Sequence, residues 1–255
     1  MQTEMVRTKD QLVDTSKNIA LSETELYPLR FKPIFQHRPW GGRRLADLIA
    51  EPMPSGPVGE AWLLSDRDDH ASQVADGPLK GQTIGQLLNQ FPEQMPGKLA
   101  HRFQRFPLLL KFLDAREMLS VQVHPTKANT NLLPAGETAK SEAWVVLEAG
   151  AESRIYAGLK EGTTAAELGR ALANGTVAEH LESFTPKLGD SVFIKAGTVH
   201  SLGGDVVVFE IQQNSDVTFR LYDWGHVDAK TGKLRELQVI RRWSALTLRR
   251  GRSVG

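Results

Sequence analysis

The chain has 255 residues, no cysteine, and 31 Lys and Arg against 30 Asp and Glu, for a net charge of +1. Without cysteine there are no disulfides or thiolate metal sites, which fits a reducing, cytoplasmic setting, and so balanced a charge provides no global field for nucleic acid or a membrane surface. No run approaches the roughly 18 to 20 apolar residues that cross a bilayer, and the length suits one large domain, as all-β barrels often are, or two small ones.

Residues 1–26 mix Thr, Ser, Lys, Glu and Asp with few large apolar side chains and read as a flexible extension. Order is expected from Tyr27-Pro28-Leu29, so residues 27–255 are taken as a single domain. Pro33 to Gly42 is turn-rich, and Glu60 to Ser65 reads as a strand. Thr83 and Gln86 have capping-box spacing ahead of Ile84, Leu87 and Leu88, which predicts a helix over 83–90, stopped before Pro92. Leu108 to Leu113 is a buried strand broken by Lys111.

From Leu119 the period of two is strong: Leu119, Val121 and Val123 face one way, and Ser120, Gln122 and His124 the other. Strands are expected at Glu142 to Leu147 and Arg154 to Ala157. A helix opens at Thr164 and stops at Asn174-Gly175, and a second short one is expected over 176–183. Strands return at Ser191 to Ile194, Val206 to Gln212 and Thr218 to Trp224, and Leu234 to Leu248 suggests a terminal helix bearing Arg241 and Arg242. Many short strands with helices confined to insertions predict a mainly β sandwich or barrel.

Four residues suggest an ion. Gln122 and His124 leave the same strand face, and that face is polar, which in a closed barrel implies a ligand pocket or wet channel. Glu142 begins the next strand, and His200 follows a glycine turn at Gly197. A lone histidine at a strand end is commonly a packed or surface residue; the pair plus two further candidates carries the argument. Imidazole, carboxylate and amide oxygen suit Zn²⁺ well and would accept Mn²⁺, Fe²⁺ or Co²⁺.

The run Gly189 to His200 resembles the second cupin motif, with Lys195 where proline is usual. Leu119 to Pro125, Lys140 to Trp144, Ile194 to His200, Glu210 to Gln213 and Arg220 to Trp224 resemble, in order, the class I mannose-6-phosphate isomerases, as do Arg38 to Gly42 and Gly59 to Ser65 upstream. The match covers about residues 30–240. It implies a cupin (jelly-roll) β-barrel with short helical insertions, one Zn²⁺ on Gln122, His124, Glu142 and His200, and interconversion of mannose 6-phosphate and fructose 6-phosphate. Many members continue with a second, degenerate cupin half, of which little follows residue 240 here.

Within that resemblance, Arg220 is the candidate cation for an enediol intermediate, sharing a strand face with Thr218, Tyr222 and Trp224. Lys140 either binds substrate oxygens, assists proton transfer or is solvated. Glu210 shares a face with Val206, Val208 and Gln212, and is either the proton-transfer base or a structural acceptor for Arg220. No glycine-rich loop is available for the phosphate, so Ser120 and Lys111 are its expected contacts; against this stand a strand-edge hydroxyl and a snorkelling amine. Trp40, Glu60 and Trp62 read as structural, and Arg249, Arg250 and Arg252 as a solvated end. The competing readings are a non-catalytic sugar-phosphate-sensing cupin, an iron-dependent cupin oxygenase, and another cupin sugar-phosphate isomerase. The partner in the favoured reading is a small sugar phosphate, with neither nucleic acid nor membrane.

Overall fold

The computed structural model describes residues 26–227, 232–235 and 237. The extension expected over 1–26 therefore lies outside the described residues except for Leu26, and so does nearly all of the expected terminal helix, including Arg241 and Arg242, together with Arg249, Arg250 and Arg252.

Eleven strands and two α-helices make up the described part: β1 (Ile34–Gln36), β2 (Glu60–Leu64), α1 (Ile84–Gln90), β3 (Leu108–Ala115), β4 (Val121–Val123), β5 (Glu142–Ala149), β6 (Ile155–Leu159), α2 (Ala165–Asn174), β7 (Leu181–Phe184), β8 (Ser191–Ile194), β9 (His200–Leu202), β10 (Val206–Gln213) and β11 (Phe219–Tyr222). They form a six-stranded sheet in the order β1-β2-β3-β10-β5-β8 and a five-stranded sheet in the order β11-β4-β9-β6-β7. Every strand pairing is antiparallel. This is the mainly β architecture with short helical insertions that the sequence predicts.

Alternation builds the space between the sheets. On β10, Val206 and Val208 point inward with Glu210 and Gln212. Leu113 of β3, Trp144 and Val146 of β5 and Val192 and Ile194 of β8 join those valines from the same sheet, while Ile155 of β6 and Leu202 of β9 close the cluster from the other. The outer side of the five-stranded sheet is covered by α2. There Leu168 and Leu172 pack with Val121, Val123, Phe219 and Leu221. Both faces of β4 are therefore buried, one against a helix and one against the opposite sheet, so its polar inward residues must find partners there.

α2 is bounded as its sequence requires. Thr164 accepts from the Glu167 amide at 3.2 Å, Glu167 answers the Thr164 amide at 2.8 Å, and Gly175 takes the left-handed conformation at φ 75°. Thr164→Ala should lower unfolding stability by about 1 kcal/mol, read as a lower denaturant midpoint; an unchanged midpoint would mean that tertiary packing alone holds this helix.

Several boundaries differ from expectation. The helix expected over 176–183 is one 3₁₀ turn (Val177–His180) followed by β7, because Leu181 and Phe184 pair with β6 rather than continue a helical face. The strand β1 lies in a segment that reads as turn-rich, and β9 begins at His200, directly after the glycine turn, where no strand was expected. The register of β11 slips between Arg220 and Tyr222, and Tyr222 packs with Phe219 and Leu221 against the α2 side, so Arg220 does not share its face as the unbroken alternation predicts.

Candidate active site

Gln122 lies opposite His200 across β4 and β9, and His124 follows β4 directly. Gly197, at φ 87°, donates its amide to the His124 carbonyl at 3.0 Å, so the glycine turn ties together the two histidine-bearing segments. Glu142 opens β5 on the facing sheet. The sheets thereby bring together His124, Glu142 and His200, whose ligand atoms all lie within 4.8 Å of one another, each residue fully buried.

The donor set fits a cation. His124 Nδ1 is 3.1 Å from the Val217 carbonyl and His200 Nδ1 is 2.8 Å from the Thr198 carbonyl. A carbonyl only accepts, so in each neutral ring Nδ1 carries the proton and Nε2 presents a lone pair. Those lone pairs face the Glu142 carboxylate, at 3.1 Å for His124 and 3.2 Å for His200. Glu142 Oε1 and His124 Nε2 are buried without a hydrogen-bond partner, and the cation beside Glu142, Lys140, reaches only its Oε2. Acceptors turned on one another in a dry interior repel unless a positive charge lies among them. A tetrahedral ion held at ~2.1 Å separates its ligands by about 3.4 Å, close to these spacings. The Gln122 amide nitrogen is 3.2 Å from His200 Nε2, and the same amide carries the carbonyl oxygen such an ion takes.

Burial, followed by the charge of Lys140, pushes the His124 pKa down to about 3, so the ring stays neutral. Burial alone would raise Glu142, but Lys140 and then His124 hold it well below the usual carboxylate range. Lys140 Nζ is 3.2 Å from Glu142 and itself buried, so the solvated alternative for this lysine is excluded.

A cavity of about 480 Å³ opens beside this cluster, lined by Lys111, Ser120, Gln122, Lys140, Glu142, Glu210 and Arg220 among others. Seven of the nine site residues expected from sequence therefore share one wall system, the two histidines lying behind it. Strand register explains the arrangement. Trp62, Lys111, Glu210 and Trp144 occupy one row across β2, β3, β10 and β5, and Gln212 with Glu142 the next.

Within the row, Lys111 Nζ lies 3.2 Å from Glu210 and 3.6 Å from Glu60, while Arg38 holds Glu60 at 2.9 Å. Trp62 and Trp144 donate their indole N–H to Glu60 and Glu210 at 2.6 and 3.0 Å. Despite burial, Lys111 and Arg38 keep Glu60 ionised, with a pKa of about 2. Glu210 shifts the other way: burial and the nearby Glu142 charge raise it, and Lys111 only partly opposes this. The structural partner foreseen for Glu210 was Arg220; the recorded partners are Lys111 and Trp144. Glu60, expected to be structural only, lines the cavity as Lys111's second counter-ion.

Arg220 stands opposite Gln122, so its side chain enters the cavity next to the ion ligands. Burial and then the charge of Arg235 lower its pKa. Arg235 also lines the cavity and was not foreseen. It lies at the start of the stretch expected to be a terminal helix, but Leu234 and Arg235 are not helical, and Leu234 bridges back to Val227.

A jelly-roll of two antiparallel sheets with a buried His-Glu-His set at the foot of a charged cavity defines a cupin-type metal-binding protein. The family described as phosphomannose isomerase type I, catalytic domain, matches residues 28–157. The chain is 40% identical to the mannose-6-phosphate isomerase ManA of Bacillus subtilis over 83% of its own length and 65% of that protein's, and 34% identical to the probable mannose-6-phosphate isomerase GmuF of the same organism over 87% and 69%. The crystal structure of the mannose 6-phosphate isomerase from Bacillus subtilis superposes with a TM-score of 0.75 at 34% identity, over 82% of this chain and 65% of that one. The chain thus spans about two thirds of the length of these relatives. It belongs to the type I phosphomannose isomerase family.

Proposed function

We propose that this chain interconverts mannose 6-phosphate and fructose 6-phosphate, using one Zn²⁺ held by Gln122, His124, Glu142 and His200. The observation that carries the reading is the pair of imidazole lone pairs turned onto a buried carboxylate at the foot of the charged cavity. A neutral amide beside two imidazoles and one carboxylate favours redox-silent zinc over an iron oxygenase centre. The absence of cysteine supports a cytoplasmic setting for the reaction.

A bound divalent ion would act as a Lewis acid on the sugar's C1 and C2 oxygens. Glu210, buried and with its pKa raised, takes the C2 proton to leave an enediolate and returns it at C1, while the hydroxyl proton on O2 passes to O1. Lys111 and the Trp144 N–H fix that carboxyl on two sides. Arg220 offers a fixed guanidinium to the negative charge of the enediolate. Lys140, held by Glu142, presents its remaining N–H groups to sugar oxygens. Because Lys111 is answered by two carboxylates, we assign it to positioning Glu210 instead of binding phosphate.

The test is turnover. Metal-replete protein should convert mannose 6-phosphate to fructose 6-phosphate, and a chelator should stop it until Zn²⁺ is restored. No product at high enzyme concentration would favour a sugar-phosphate sensor, and stoichiometric iron on metal analysis would reopen the oxygenase reading.

A further inference from the structure

The two histidines of the site are steadied in different ways. His200 Nδ1 bonds to the carbonyl of Thr198, two positions earlier, so its own backbone sets that distance. His124 Nδ1 bonds to the carbonyl of Val217, 93 positions later. Val217 lies in the connection 214–218, between the strand of Glu210 and the strand of Arg220. The direction of the His124 ring therefore depends on how that connection is held.

The connection is tied down at its start. The Asn214 amide donates to the Pro107 carbonyl at 2.9 Å, the Asn214 side chain to the Phe106 and Asp66 carbonyls at 3.0 and 3.2 Å, and Gln212 Nε2 to the Ser215 carbonyl at 2.6 Å. Closer to Val217 a carboxylate takes over. Glu137 Oε2 accepts from the Ser215 hydroxyl at 2.9 Å and from the Asp216 amide at 3.3 Å, and Glu137 Oε1 accepts from Arg67 Nη2 at 2.5 Å. Ser215 is fully buried, and the Glu137 and Arg67 side chains are only 14% and 24% exposed. Burial opposes the charge on Glu137, but the hydrogen bonds from Arg67 and Ser215 hold its pKa below the usual carboxylate range. Hydrogen bonds to an ionised acceptor are shorter and stronger than neutral ones, which makes this a stiff brace. Arg67 and Glu137 line a separate cavity of about 440 Å³, and neither lines the one that contains Glu142 and Arg220.

We propose that Glu137, held by Arg67, is a positioning residue for His124: it fixes the stretch 215–217, and with it the carbonyl that selects the His124 tautomer and aims Nε2 at the ion site. Partners behind a metal-bound histidine set ring orientation and basicity, and losing one costs about 10- to 100-fold in metal affinity. Glu137 acts one step behind such a partner, so its effect belongs at the lower end of that range. The assignment rests on the proposed metal site for what His124 does there, while the brace on the ring does not.

The experiment uses the full chain and compares wild type with Glu137→Ala, Glu137→Gln, Arg67→Ala and Thr83→Ala. Two quantities are read: the Zn²⁺ dissociation constant, by competition with a chromophoric chelator, and the imidazole N–H signals in proton NMR of the metal-free protein. Glu137→Ala should raise the dissociation constant about 10-fold. The His124 ring N–H signal should be lost to exchange with water, while that of His200, bonded within its own turn, persists. Glu137→Gln keeps an oxygen for Ser215 and Asp216 and should recover part of the loss. Arg67→Ala should show a smaller rise than Glu137→Ala, still above about twofold. Thr83 caps α1 and touches none of these groups, so Thr83→Ala lowers stability without moving either readout. A dissociation constant within about twofold of wild type and an intact His124 signal in folded Glu137→Ala would overturn the assignment. An equal rise in Thr83→Ala would also overturn it, since the effect would then be one of general stability. Should Glu137→Ala fail to fold, Arg67→Ala decides by the same criteria. A wild type that binds no Zn²⁺, or binds it without isomerising mannose 6-phosphate, refutes the proposed function and leaves the ring signals to judge the brace. One that does both, with Glu137→Ala indistinguishable from it, refutes the brace alone.

Discussion

Glu142→Ala should leave the purified protein without bound metal and lower turnover about 10³-fold or more, the several kcal/mol that a Lewis acid supplies to charge developing on oxygen. Glu142 is the only carboxylate among the candidate ligands, and its oxygens face both histidine Nε2 atoms and Lys140 within 3.2 Å. Removing it also strands Lys140, a buried ammonium, and unpairing a buried charge costs about 3–5 kcal/mol. Stability should therefore fall along with metal content. Glu142→Gln separates the two effects, since the shape persists and the charge does not. Metal analysis and the change in Tm on adding Zn²⁺ are the readouts: wild type should gain stability by mass action, and Glu142→Ala should gain none. Stoichiometric metal in Glu142→Ala, with near-wild-type turnover, would remove Glu142 from the centre.

Glu210→Gln should abolish exchange of the C2 proton with solvent and lower kcat by about 10²- to 10⁴-fold, the usual contribution of a positioned base, at unchanged metal content. The substitution is close to isosteric. The Trp144 N–H keeps an oxygen acceptor, and Lys111 keeps Glu60. The same carboxyl should set the acid side of the pH profile. Its pKa is raised by burial and by Glu142, so it gains its proton above the ordinary carboxylate range, and kcat/KM falls as pH drops through that point. Because the charges of Glu142 and Lys111 act on Glu210, the limb reports the cluster, and it should vanish from the residual activity of Glu210→Gln. Wild-type exchange of the C2 proton in that variant would move the base elsewhere in the cavity.

These two predictions join residues of unequal visibility in the sequence. Gln122 and His124 were legible because period-two alternation put them with Ser120 on one polar face, Glu142 because it opens a strand, and His200 because it follows a glycine turn after one. Both α-helices were legible from their capping boxes, which act over three residues. The strand β9 was not: it begins straight after the glycine turn, although its first residue, His200, is the pairing partner of Gln122. The role of Lys111 was also hidden. A lysine breaking an apolar run reads equally as a snorkelling amine, and only the register of β3 against β10 puts it 3.2 Å from Glu210.

The residue types of the centre, the alternation that turns them inward and the caps that bound the helices are written locally, because each depends on neighbours two to four positions away. Which carboxylate meets which cation is not local. The row Trp62–Lys111–Glu210–Trp144 and the approach of Glu142 to two histidines exist only once strands distant in sequence have settled into register, and register is chosen by burial summed over both sheets. Arg235 is the extreme case. Its clamp on Asp223 accompanies the chain's return beside Val227, in a segment whose own pattern reads as the start of a helix.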